Sequence, residues 1–488
     1  MSTITTLRPR LTHMATLVAA LAACTFATAQ TPPGTIVYTY QYDYNDNLTQ
    51  VTDALGHGTG FAYDALNRRI STADPAQGLT QYGYDVLDHL TSVTDPRTLV
   101  TAYQIDGLNN LNQLQSPDTG ATANTYDSAG NLLTRTDAKQ QTTHYSYDLI
   151  NRLSSITYAD NSTVGYTYDQ GANAVGRLTQ ISDASGSIQF SYDVGGRVVS
   201  ETRIINVIAA PGGTATPTSY TTGYSYDSMG RLAAVTYPSG RIVSYLRDAV
   251  GRISQINSTR GNVTTVLVGQ VLYQPFGGLQ SYVNSAGNPV ARSHDLSGRI
   301  IGYTLNGQAH VLTYDGASNI TAHTDTSNAA NNTSYGYDLL DRLTGATTSS
   351  NSQGYQYDAN GNRVSSSVNS ASNSYTYSPT SNQLQQISAA QTLAYTTDAN
   401  GSITNNSINQ YVYDARGRLS GAVTANGNVQ YTINALGQRV QKISSASSTV
   451  FEYDIAGKLI GEIGNVGGVT SQRDYIYLGD LPVAVIQM

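Results

Sequence analysis

The sequence has no tryptophan, one cysteine and only 12% charged residues, and each scarcity removes a class of protein. A single cysteine makes no internal disulfide, so packing and backbone hydrogen bonds must hold the fold. Lysine occurs only at Lys139, Lys442 and Lys458, and the formal net charge is −7. No basic stripe exists to neutralise a run of phosphates, so nucleic acid is not an expected partner. No apolar run approaches the roughly 20 residues that a spanning helix needs, so no transmembrane span is expected. What the chain does have is 37 Tyr beside 5 Phe, together with 45 Gly. With long Ser, Thr and Asn tracts between the tyrosines, that is the composition of many short strands and turns. It speaks against a Rossmann enzyme, a helical bundle, a coiled coil and a disordered chain.

Residues 1–29 read as an export signal. Arg8 and Arg10 precede the apolar stretch Met14 to Ala23, and Ala27-Thr28-Ala29 is a small-x-small cleavage site. Leu21-Ala22-Ala23-Cys24 offers a second reading, a lipobox in which Cys24 becomes the acylated N-terminus, against the plainer view of Cys24 as a small residue in a signal core. The expected location is therefore exported: secreted, periplasmic or on the outer surface, with a lipid anchor if Cys24 is acylated.

Self-similarity dominates the rest. Asp43, Asp64, Asp85, Asp106, Asp127, Asp148 and Asp169 follow one another at steps of 21 residues, which marks a repeat architecture. Tyr42, Tyr63, Tyr84, Tyr126, Tyr147 and Tyr168 directly precede six of them; Ile105 precedes the seventh. A second aromatic two residues earlier, as in Tyr145-Ser146-Tyr147, shares a strand face with the first. Asp53, Asp74, Asp95 and Asp137 mark a second turn about mid-period. The unit divides into strand, turn, strand, turn, with strands of about seven residues. Leu48 and Val51 are three apart, as are Leu90 and Val93, so the second strand needs a bulge or burial on both faces.

The chain divides as 30–203, regular repeats; 204–222, an insertion carrying Pro211-Gly212-Gly213 and Pro217 and expected as a surface loop; and 223–488, looser repeats. Tyr273 to Asn288 is a further irregular stretch, expected to turn at Pro275 and Gly277-Gly278. Segments such as Asp227-Ser228-Met229-Gly230-Arg231-Leu232 place Asp at a turn start and Gly where positive φ is needed. The arginine four after the Asp recurs at Arg68, Arg152, Arg197, Arg231, Arg252, Arg299, Arg342 and Arg418, placed to pair with its own or a neighbouring Asp.

This Tyr-Asp, Gly-Arg-Leu unit resembles the YD repeat of the Rhs family, found also in wall-associated proteins, in shell components of insecticidal toxin complexes and in teneurins. The resemblance covers roughly residues 36–488. It implies an all-β fold of tandem hairpins forming a curved, spiralling sheet or hollow shell, whose cavity in relatives often encloses a toxic C-terminal domain. Toxin-enclosing relatives continue past a segment like Tyr475 to Ala484 into an Asp-Pro-x-Gly-Leu self-cleavage motif, whereas this sequence stops at Met488. The nearest string, Asp74-Pro75-Ala76-Gln77-Gly78-Leu79, carries an extra residue and reads as a turn. The expected product is thus a truncated chain, or a shell whose toxin cargo and capping protein are separately encoded.

No catalytic constellation accompanies the repeat. There is no Gly-x-Ser-x-Gly elbow and no phosphate-binding Gly-Lys-Ser/Thr loop. His57, His89, His144, His294, His310 and His323 show no His-x-x-x-His pair, so neither a metal site nor a cofactor is expected. Asp358-Ala359-Asn360-Gly361-Asn362 and Asp398-Ala399-Asn400-Gly401-Ser402 resemble fragments of calcium loops but lack the later acidic ligand and fall where the repeat requires turns. The tyrosine faces are suited first to cross-strand packing, worth roughly 0.2–1 kcal/mol per pair, and second to a glycan ligand. The expected function is a non-catalytic scaffold or encapsulating shell of a toxin or contact-dependent competition system. The alternative is a cell-surface carbohydrate-binding or adhesion module.

Overall fold

A computed structural model describes residues 37–275 and 277–488. Residues 1–29, read above as an export signal, and with them Cys24, lie outside the described residues. The chain is an antiparallel meander in which, within each of two sheets, each strand pairs with the next. A 33-stranded sheet runs from Thr39 to Ala394, and a 10-stranded sheet continues from Thr396 to Gln487. Among the described residues no helix is long and apolar enough to cross a membrane.

One unit shows how the sequence builds this. The strand Thr142–Tyr147 is followed by a turn, the strand Leu153–Thr157, a second turn and the strand Thr163–Tyr168. At the first turn the Asp148 N–H donates to the Arg152 carbonyl at 2.9 Å and the Asn151 N–H to the Asp148 carbonyl at 3.0 Å. The Asp148 Oδ1 accepts the N–H groups of Ile150 and Arg152. Asn151 closes the turn at φ 63°, the left-handed position of a three-residue hairpin loop. Asp46, Asn67, Asp88, Asn109 and Gly130 repeat that conformation in sister units, and Asn, Asp and Gly are the residues that adopt it at least cost. Asp74 to Leu79 is another such turn, with Asp74 accepting the N–H groups of Ala76 and Gly78.

Each turn takes five residues, so the strands of the unit are five or six residues long, shorter than the seven expected. The three-residue spacing of Leu and Val or Ile has a simple cause. Tyr147 pairs with Leu153, but Ser146 pairs with Ser155, leaving Ser154 as an extra residue. This bulge reverses the alternation, so Leu153 and Ile156 both lie opposite the same-face pair Tyr147 and Tyr145. The same shift occurs at Tyr42, Tyr84 and Tyr168.

The stretch 204–222 departs from the expected loop. Val198–Ile208 and Ala215–Tyr226 are long strands paired continuously from Ser200 and Gly223 to Ile208 and Ala215, and only the tip is irregular. Pro217 is tolerated because its segment extends beyond the next strand, whose pairing begins at Gly223 with Thr236. Ile205 on this extension is buried against Val440 and Val450.

That contact shows the larger geometry. After little more than half the chain the sheet has come round, and hairpin ends of the second spiral turn dock on hairpin ends of the first. Before Val164 no described apolar side chain is fully buried. The main core instead joins Tyr224, Val235, Val243, Ile256 and Val268 of the first turn to Ile460, Ile476 and Leu478 of the second.

Candidate functional site

The repeat residues assemble a ladder along the sheet. The Tyr147 hydroxyl donates to the Leu132 carbonyl of the preceding unit at 3.1 Å. Tyr63, Tyr84, Tyr126 and Tyr168 do the same to Leu48, Arg69, Leu111 and Leu153. Where Arg247 replaces the tyrosine, its guanidinium donates to the equivalent Leu232 carbonyl. Tyr42 opens the series and is largely exposed.

Arginines such as Arg152 and Arg68 tie two neighbouring units together. The Arg152 Nε lies 2.7 Å from its own Asp148, and its Nη2 lies 2.7 Å from Asp169 of the next unit. The same guanidinium sits 4.3 Å from the Tyr168 ring centroid. Arg68 likewise joins Asp64, Asp88 and the ring of Tyr84. The backbone N–H of Arg152, and then its guanidinium, hold the Asp148 carboxyl below its usual range. Where the fourth residue is not Arg, Asn47 and Asn131 hold Asp43 and Asp127, and His89 holds Asp85. Most of these residues are spread along the ladder, while Arg247 also lines a cleft described below.

The feature with local chemistry is the seam between spiral turns. In its first part the contacts are polar. Asn360 donates to Asp95, and Arg97 lies 3.4 Å from Asp358. Asn382 donates to Asp118, Asn400 donates to Asp137 at 2.6 Å, and Lys139 lies 3.4 Å from Asp398. The two segments with calcium-loop character are therefore turns whose Asn360 and Asn400 reach across the seam. Gly401 stands at φ 81°, where a Cβ would fall 2.3 Å from the Asp118 carbonyl oxygen, so close approach and backbone conformation both require glycine.

In its second part the seam is buried. The Gln441 side chain, fully buried, accepts the Ile208 N–H and donates to the Ile208 carbonyl. Arg241 lies 2.7 Å from Asp474, which also accepts from Ser239. Arg203 lies 2.6 Å from Glu201 and donates to Gln438. The Tyr237 hydroxyl donates to the Tyr475 carbonyl. Glu452 is 1% exposed and neither carboxyl oxygen has a hydrogen-bond partner. Burial, and secondarily the neighbouring Asp474 charge, push it up to about 8, so it is held mainly as the neutral acid at neutral pH. Beside these groups lies a cleft lined by Tyr224, Tyr226, Tyr237, Tyr245, Tyr477 and Arg247.

Sequence reasoning locates the ladder but not the seam. Asp474, Arg241 and Gln441 carry no mark of their partners, because the pairing depends on how many hairpins complete one spiral turn. The only signal was the irregularity of the units that contain them.

The fold and seam define a spiralling β-sheet wall of the shell type. The teneurin YD-shell family model matches residues 99–265 and 300–477, and the chain belongs to that family. The RHS repeat matches residues 27–57, 42–80 and 63–100. Among solved structures, a Photorhabdus luminescens Tc holotoxin pore matches with a TM-score of 0.75 at 17% identity, over 90% of this chain and 27% of that one. A TcdB2-TccC3 complex without its hypervariable C-terminal region matches at 0.75 and 18% identity, over 91% of this chain and 28% of that one. The chain thus spans little more than a quarter of the length of these structures. No curated protein matches.

Proposed function

We propose that this chain is a non-catalytic, exported wall of a toxin-type shell that surrounds a separately encoded polypeptide cargo, with a capping protein closing the open sheet edges. The supporting observation is the seam: an extended sheet whose successive turns are bonded edge to edge is a continuous wall, and such a wall partitions space. The family membership and the likeness to Tc structures support the same reading. Hairpin edges left without a neighbouring turn are sites for a cap or a further copy. Electron microscopy of the purified chain tests the proposal. Hollow particles are expected, and a nearby-encoded polypeptide co-expressed with the chain becomes protease-resistant. A solid or fully open particle that leaves the co-expressed polypeptide digestible overturns it.

The tyrosine cleft favours one other reading, a glycan-binding surface, because ring faces and phenol hydroxyls pack on and hydrogen-bond to sugars. Binding on a glycan array that is lost in Tyr477→Ala supports that reading; an array without signal removes it.

A further inference from the structure

Along the seam a carboxylate meets a cation or an amide donor at the junctions already described: Asp95 with Asn360, Asp137 with Asn400, Asp474 with Arg241. One junction breaks this pattern. The turn Asp53–His57 of the first spiral turn faces Asp341, in the turn that follows Tyr337 in the second. One ligand atom from each of Asp53, His57 and Asp341 can be chosen so that all lie within 4.8 Å of one another.

No arginine or lysine is ion-paired with any of the three among the described residues. Asp53 Oδ1 is occupied by the N–H groups of Leu55 and His57, and Asp341 Oδ1 accepts from Asn319 at 2.7 Å. The His57 Nδ1 is shielded from solvent and has no hydrogen-bond partner, although the Asp53 Oδ2 lies 3.2 Å away. Two carboxylates and an imidazole therefore converge where the three junctions named above supply a positive or donating group.

A divalent cation satisfies this arrangement. Imidazole nitrogen and carboxylate oxygen together suit Zn2+ and its neighbours, and three protein ligands leave a position for water. The sister turn at Asp85 shows what is particular here. His89 also approaches its Asp, at 2.9 Å, but its second nitrogen meets the Asn109 side chain, so no further carboxylate completes a set. A search for paired histidines passes over His57 because its partners are acids, one of them in the distant half of the chain.

We propose that Asp53, His57 and Asp341 bind one divalent transition-metal ion of the Zn2+ type, clipping the start of the first spiral turn to the second. In a chain without disulfides such a clip closes a long loop, where a cross-link removes most conformational freedom from the unfolded state.

Isothermal titration of the tag-free full chain, stripped with EDTA and dialysed, with zinc chloride and separately manganese chloride, tests this. One equivalent is expected, with a melting temperature that rises with metal concentration. Asp341→Asn and His57→Gln each lower affinity at least tenfold, while His89→Gln leaves it unchanged. In EDTA, Asp341→Asn melts at or above the temperature of the unaltered chain, because it removes one of two facing carboxylates; that separates loss of the site from loss of the fold. Absence of saturable binding by either metal, or binding undiminished in both site variants, overturns the proposal.

Discussion

The two parts of the seam solve one geometric problem with different chemistry. Around residues 95–139 the spiral turns meet through asparagines, aspartates, Arg97 and Lys139 that keep partial access to water. Around residues 201–241 they meet through Arg241, Asp474, Gln441 and an apolar cluster shut away from solvent. Hydrogen bonds that water can replace contribute little net stability, whereas buried charges and apolar side chains make separation costly. The polar part therefore sets register and the buried part supplies adhesion.

The most severe way to break that contrast is Asp474→Ala. It leaves the Arg241 charge buried without its partner and should cost about 3–5 kcal/mol. Denaturant unfolding measures it, and a cost no larger than that of Asn360→Ala would erase the distinction between the two parts.

The pH profile of stability sharpens it next. Burial first, and Asp474 second, raise the Glu452 carboxyl to about 8. The folded state therefore holds a proton that the unfolded state releases at ordinary carboxyl pH. The Glu452 contribution is full below that ordinary value, declines as pH rises towards about 8 and is spent above it, a few kcal/mol in all. Glu452→Gln should flatten this slope in unfolding measured from pH 5 to 9. An unchanged slope would assign the pH dependence elsewhere.

On the polar side, Asn400→Ala removes one donor to Asp137 and should cost about 1 kcal/mol. Gly401→Ala, which forces a Cβ against the Asp118 carbonyl, should exceed it. The reverse order, read by thermal unfolding, would mean that the backbone approach is not what fixes register. The smallest effect belongs to the ladder: Tyr147→Phe loses one hydroxyl bond to the Leu132 carbonyl, about 1 kcal/mol or less, and should leave electron-microscopic particle shape unaltered.

The turns and arginine pairs of the ladder were readable in advance because each closes within one or two repeats, whereas the tyrosine hydroxyl bonds, read only as ring packing, were not. Asp148 bonds residues two and four positions on, Arg152 reaches Asp169, and Tyr147 reaches Leu132. The insertion was misread because Pro211-Gly212-Gly213 and Pro217 are turn formers. The docking of Ile205 and Ile208 on Val440 and Gln441 instead sustains two long strands, and nothing local to 204–222 announces it.

The sequence by itself determined the repeat, its turns and the succession of hairpins, because these rest on periodicity and short-range hydrogen bonds, and it left open the choice between a bulge and burial on both faces that the strand register settles. Only the tertiary structure decided which turns face one another across the seam, which acids are buried and where Asp53, His57 and Asp341 converge. Those pairings follow from sheet twist and curvature accumulated over dozens of strands, small per strand and invisible in any one repeat.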